Sequence, residues 1–196
     1  MKYFLSILFF LSSVNISSAG VFNEVGDAGE LVSTAQNTAG DGSLDAINGY
    51  LDFDDVDLFK ISVTDFLNFE VSMTASLTPD ASPFPVEDVA GLWLFDMAGD
   101  LVTEDSSYDL FFSDPALFDP LASNGMYLLA VALFGIEPDN LFDLDTGWYK
   151  DVASIQEGSY TLQITGAEFS VPVPAPPVLW LLSIGLIALV RNRKIA

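Results

Sequence analysis

The sequence predicts an all-β sandwich held between two apolar end segments. Three observations lead there. Apolar and polar residues alternate with period two in several blocks, glycine- and aspartate-rich turns separate the blocks, and 13% aromatic residues supply core material. A chain of 196 residues has room for one ordinary domain plus targeting segments.

The chain opens with "MKYFLSILFFLSSVNISSAG". Lys2 precedes the apolar run Tyr3 to Leu11, and Ser17 and Ala19 stand at positions −3 and −1 of a cleavage site between Ala19 and Gly20. This is the layout of a secretory signal peptide over residues 1–19, an N-terminal helix that engages the secretion machinery and signal peptidase. An uncleaved N-terminal anchor is the competing reading.

Residues 20–170 form the body, with its core over 29–166. "DVDLFKISV" sets Asp57, Phe59, Ile61 and Val63 against Leu58, Lys60 and Ser62. "LNFEVSMTAS" sets Leu67, Phe69, Val71, Met73 and Ala75 against Asn68, Glu70, Ser72 and Thr74. "GSYTLQITG" sets Tyr160, Leu162 and Ile164 against Thr161, Gln163 and Thr165. One polar face is what half-buried antiparallel strands require. "GLWLFD" and "GMYLLAVALFG" are apolar on both faces and read as central strands covered on both sides or as strands packed under a loop, with a helix as the alternative for the second. "FDMAGDLV" reads as a hairpin turning over Asp96 to Gly99. "SDPALFDPLAS" reads as a turn-rich insertion with one helical turn.

The chain closes with "VPVPAPPVLWLLSIGLIALVRNRKIA". A proline cluster (171–177) leads into an apolar stretch (178–190) and a basic tail (191–196) carrying Arg191, Arg193 and Lys194. As a transmembrane helix the stretch spans roughly 20 Å at about 1.5 Å per residue, short of a ~30 Å hydrocarbon core. Pro176 and Pro177 suit its first turn, where no N–H is needed. The basic tail places the C-terminus in the cytoplasm and the body outside. Such a segment stops translocation but anchors poorly, so its stay in the membrane is expected to be transient; a plain C-terminal anchor is the competing reading.

Charge excludes some functions. The 28 acidic residues all lie between Glu24 and Glu168, where they meet only Lys60 and Lys150, a net of −26. Such a body repels nucleic acid and anionic lipid and suits a hydrated extracellular setting, although solubility alone explains it equally. Histidine and cysteine are absent, which removes disulfides, thiolate nucleophiles and the usual general base. No nucleophile elbow, phosphate loop or dinucleotide fingerprint occurs. Carboxylate pairs suited to a glycosidase arise by chance in so acidic a chain, so a non-enzymatic protein is expected.

The densest acidic cluster is "DFDDVD", with Asp52, Asp54, Asp55 and Asp57 as candidate Ca²⁺ ligands. Calcium takes six to eight hard oxygens, and the spacing is not that of an EF-hand. Asp57 shares a face with Phe59 at the mouth of the sandwich, where a buried carboxylate needs a cation or hydrogen-bond donors. The competing reading gives Asp57 backbone N–H donors and leaves the other aspartates to solvate a turn. Asp96, Asp100, Glu104 and Asp105 read as a solvated hairpin. Trp93, Trp148 and Tyr149 are candidates for stacking on sugars, against a core role for Trp93 and an ordinary edge strand in "DTGWYKD".

Two resemblances add to this. Val171, Pro172, Val173, Pro174 and Ala175, followed by an apolar helix and a terminal basic cluster, resemble the PEP-CTERM sorting signal in its Val-Pro-x-Pro-Ala form. Val173 stands where the eponymous motif has Glu. The resemblance implies recognition by an exosortase-type enzyme, cleavage near the proline motif, and delivery to the cell surface or an exopolysaccharide matrix. "GELVSTAQNT", "GYLDFDDVDLFKISV", "LWLFDMAGDLVTEDSS", "GMYLLAVALFG" and "GSYTLQITG" in that order resemble bacterial pre-peptidase C-terminal-like domains, over Gly29 to Gly166. This implies a jelly-roll-like antiparallel β-sandwich serving as an accessory or adhesive module, some relatives of which bind calcium or carbohydrate. The expectation is therefore a non-enzymatic exported cell-surface or extracellular-matrix protein that passes through an inner-membrane intermediate. The alternative is a calcium-dependent module binding exopolysaccharide.

Overall fold

The computed structural model describes residues 20–77, 90–106, 116–117, 121–133, 135–140, 143–150 and 157–173. The expected signal helix with Ala19, the expected transmembrane helix, the basic tail, Pro174 and Ala175 lie outside the described residues. Among the described residues no helix is long and apolar enough to cross a membrane.

Every described element is a strand. In chain order they are β1 (Val21–Asn23), β2 (Gln36–Asn37), β3 (Ala39–Gly40), β4 (Ala46–Leu51), β5 (Val56–Val63), β6 (Glu70–Leu77), β7 (Ala90–Asp96), β8 (Leu101–Ser106), β9 (Ala116–Leu117), β10 (Gly125–Leu133), β11 (Ile136–Asn140), β12 (Asp143–Lys150), β13 (Gly158–Thr165), β14 (Ala167–Phe169) and β15 (Val171–Pro172). One sheet runs β1-β4-β13-β6-β9 and the other β14-β5-β10-β7-β8, with β2 sharing an edge of β5 with β14. Counting β4 to β10 and β13 as the eight principal strands, the two orders are 1-8-3-6 and 2-7-4-5. That is the strand order of a jelly roll.

The pairing is not purely antiparallel. β1 runs parallel to β4, β2 to β5 and β15 to β3. None of these pairs is joined by a hairpin. The chain leaves and returns by a long crossover, which permits parallel pairing.

Residues paired across neighbouring strands share a face. Phe59, Leu129 and Leu94 therefore point inward together, toward Ile47, Leu162 and Met73 of the facing sheet, and all are buried. The expected alternation in β13 holds throughout, and in β6 from Phe69 onward. Leu67 departs from it at 69% exposed, because it sits in the Asp65–Asn68 turn before β6 begins. Leu58 departs the other way and is fully buried. Its outer face lines up with Ala130 and Trp93, and Trp148 of β12 packs edge-on against Trp93 and Phe95 with ring centroids 5.5 and 6.2 Å away. The β11–β12 hairpin thus lies over the outside of that sheet, which is why β7 and β10 are apolar on both faces. Of the expected insertion "SDPALFDPLAS", Ala116–Leu117 forms a strand against β6, and no described residue of it is helical. Buried side chains also lie on either side of 29–166, at Phe22 and Ala167.

Candidate functional site

β4 crosses to the facing sheet through the turn Asp52–Asp55, and the acidic residues collect around this crossing. Asp54 adopts φ 57°, a left-handed conformation that aspartate tolerates better than most residues. Asp55 braces the turn: its Oδ2 accepts the N–H of Asp52 at 3.2 Å and its Oδ1 that of Val56 at 2.9 Å. Asp52 Oδ1 accepts the N–H of Phe53 at 2.8 Å.

Asp57 is the second residue of β5, on the inner face with Phe59, and is 0% exposed. Tyr160 reaches it from the facing sheet, donating its hydroxyl to Asp57 Oδ2 at 2.6 Å. The ring fits because residue 49, its partner on β4, is glycine. A Cβ on Gly49 would lie 2.2 Å from the Tyr160 hydroxyl oxygen. The N-terminal segment closes the site. Glu24 follows β1, accepts the N–H of Tyr50 at 2.8 Å and places its carboxyl against Asp57. Asp27 accepts the N–H of Gly29 at 2.6 Å. Carboxylate oxygens of Asp27, Asp55 and Asp57 lie within 4.8 Å of one another.

Asp57 Oδ1 is buried without a hydrogen-bond partner. Two carboxylates offer each other no donor, so the contact with Glu24 needs either a shared proton or a cation. The electrostatics agree. Burial pushes the Asp57 carboxyl up to about 8, with the Glu24 and Asp55 charges adding to the rise and the Tyr160 hydroxyl opposing it. Burial also raises Glu24 and Asp55 and holds the Tyr160 phenol well above its usual range. Lys150 sits at the rim, paired with Glu30 at 3.0 Å and donating to the Asp54 carbonyl.

Of the sequence candidates, Asp55 and Asp57 meet, whereas Asp52 and Asp54 do not belong to the converging group. Glu24 and Asp27 take part instead. The visible signal was "NEVGDAGE", acids beside glycines, but it joins the site through the parallel pairing of β1 with β4. The second acidic hairpin is structural: Asp96 Oδ1 accepts the N–H groups of Ala98 and Asp100, and Asp105 that of Ala116. Trp93 is core, and Trp148 is half-buried, donating its indole N–H to the Glu30 carbonyl at 2.7 Å. Tyr149 is exposed. At the C-terminal end Val171 and Pro172 form β15 on the body, and at the other end Gly20 is seated beside Asp45.

No protein-family model matches this chain, and no curated protein matches it. Among solved structures, the Aeromonas hydrophila periplasmic inhibitor of g-type lysozyme, PliG, aligns with a TM-score of 0.32 at 10% identity, covering 76% of this chain and 98% of that one. A likeness of that strength carries no argument about function.

Proposed function

We propose that this is an exported, non-enzymatic β-sandwich protein that binds a divalent cation between its N-terminal segment and the β4–β5 crossing. The observation that carries the reading is the orphaned, fully buried Asp57 Oδ1 amid the carboxylates of Glu24, Asp27 and Asp55. The donors are all hard oxygens, which suits Ca²⁺ over metals that take nitrogen or sulfur. A bound cation would neutralise the mutual repulsion of these groups and fix the N-terminal segment to β5. Calorimetric titration with Ca²⁺ tests this. Saturable heat in the native protein, absent in Asp57→Asn, is expected; no heat in either removes the cation.

Export and sorting follow from the end segments. Signal peptidase is the enzyme proposed to cut between Ala19 and Gly20. An exosortase-type enzyme is proposed to act near Val171, Pro172, Pro174 and Ala175 while the basic tail holds the precursor in the inner membrane. Mass spectrometry of the exported protein should show loss of residues 1–19 and of the basic tail. Surface material that retains Arg191, Arg193 and Lys194 sinks the sorting reading.

A second reading makes the site a calcium-dependent surface for exopolysaccharide. Tyr50 and Phe53, 49% and 53% exposed, favour it, since they present rings beside the acidic turn. Retardation in a polysaccharide-containing gel, lost on chelation, is the expected behaviour. Migration unaffected by the polysaccharide in calcium removes this reading and leaves the first intact.

A further inference from the structure

Gly20, the residue expected to begin the exported chain, is built into the body. Its N–H donates to Asp45 Oδ2 at 2.9 Å, and its carbonyl accepts the N–H groups of Asp45 at 2.7 Å and Ala46 at 3.1 Å. A side chain has no place there: a Cβ on Gly20 would lie 1.9 Å from the Ser43 carbonyl oxygen and 2.6 Å from Phe169 Cε2. The same Phe169 ring lies on Gly40, where a Cβ would come within 2.5 Å.

Phe169 ends β14, and the chain after it is strapped to the body. The Ser170 N–H donates to Thr38 Oγ1, and the Ser170 hydroxyl and the Val171 N–H both donate to the Thr38 carbonyl, each at 2.9 Å. The Val173 N–H donates to the Gly40 carbonyl at 2.8 Å. Thr38 is itself fully buried, and its hydroxyl donates to the Lys60 carbonyl at 2.7 Å, tying the strap to β5. Phe169 therefore lies against both the expected first residue and β3, the strand with which β15, the start of the proline motif, is paired.

We propose that the group released by cutting at Ala19–Gly20 is a structural part of the mature protein: the Gly20 α-ammonium pairs with Asp45 and braces the β14–β15 strap through Phe169. This rests on the export reading for the position of the cut. Hydrolysis by one water leaves a carboxylate on Ala19 and an amine on Gly20, which takes up a proton at neutral pH because α-amino groups titrate near pH 8. The nitrogen that meets Asp45 as a neutral amide then meets it as a cation. A charge-assisted hydrogen bond is roughly twice as strong as a neutral one. Asp45 and Gly20 are both partly buried, so solvent screens the pair incompletely. The mature chain carries in this contact a charge that the precursor lacks.

The test uses the exported protein and selective acylation of its N-terminus. Acylation removes the charge but keeps one N–H, and the same nitrogen carries an acyl group, as a peptide bond, in the uncut chain. In the native protein acylation should lower the melting temperature by about 2–4 °C and speed amide exchange at Val171 and Val173. In Asp45→Asn neither should change on acylation. An equal drop in both proteins, or no drop in the native one, overturns the ion pair. A drop in melting temperature without faster exchange at Val171 and Val173 overturns the brace. Peptide mapping of the starting material keeps the two readings apart, since a first residue other than Gly20 fails the cut itself.

Discussion

Asp57 is an acidic side chain placed where Phe59 and Ile61 bury theirs, and its protonation dominates what the site can do. Its carboxyl is raised to about 8 in the folded protein, against about 3.9 in an unfolded chain. Between those values the folded state holds the extra proton, so its contribution to stability is complete below about pH 4 and is lost as pH climbs through 8. Without divalent cations the melting temperature should therefore fall as pH rises across that window and level off above it. The slope is at most about 1.4 kcal/mol per pH unit. Asp57→Asn should flatten it, because the amide has no proton to lose and can donate to Glu24. A slope unchanged in Asp57→Asn would place the titration elsewhere. Gly49→Ala is the steric counterpart: its Cβ meets the Tyr160 hydroxyl, and overpacking of this kind costs about 1–3 kcal/mol, read by denaturant unfolding. The inward aim of Asp57 was legible because strand side chains alternate strictly, so Phe59 fixes it. Glu24 and Asp27 were not, because nothing local to "NEVGDAGE" shows that β1 will pair in parallel with β4.

At the scale of elements, two segments cover what the sheets leave open. The β11–β12 hairpin lays Trp148 across Trp93 and Phe95. The sequence showed that β7 and β10 needed a second cover, but not that "DTGWYKD" provides it, because a half-buried tryptophan in a hairpin looks the same as an exposed one. Trp148→Ala should destabilise the protein at the low end of about 3–5 kcal/mol and leave any cation heat unchanged. A variant of native stability would mean that the hairpin covers nothing of consequence. The strap is the other segment. Thr38→Val removes the hydroxyl that links Lys60 to Ser170, and about 1–3 kcal/mol should be lost, with faster amide exchange confined to Val171, Val173 and their neighbours. Global loss of protection instead would show that Thr38 supports the core rather than the strap. Sequence reading ended the core at Gly166, since "AEFSVP" has no period long enough to announce a strand. β14 and β15 are set by the edges they meet, Ile61–Val63 and Ala39–Gly40.

The whole molecule carries its charge unevenly. A body with 28 acidic residues and two lysines repels itself, and screening by salt or neutralisation by cations relieves that. A specific site differs from general screening in needing far less cation and in depending on single residues. The jelly-roll order of the strands places Tyr160 of one sheet against Asp57 of the other, and brings the segment after β1 across the same end. The absence of thiolate chemistry could be read from composition, since the chain has no cysteine, but this convergence is a property of the closed sandwich. The most direct measurement is an anomalous difference map from crystals of the exported protein grown in Ca²⁺. A peak within about 2.3–2.6 Å of Asp57 Oδ1 and of carboxylate oxygens from Asp27 or Asp55, absent in Asp57→Asn, is the expected result. A native map with no peak at Asp57 in saturating calcium would contradict the cation site.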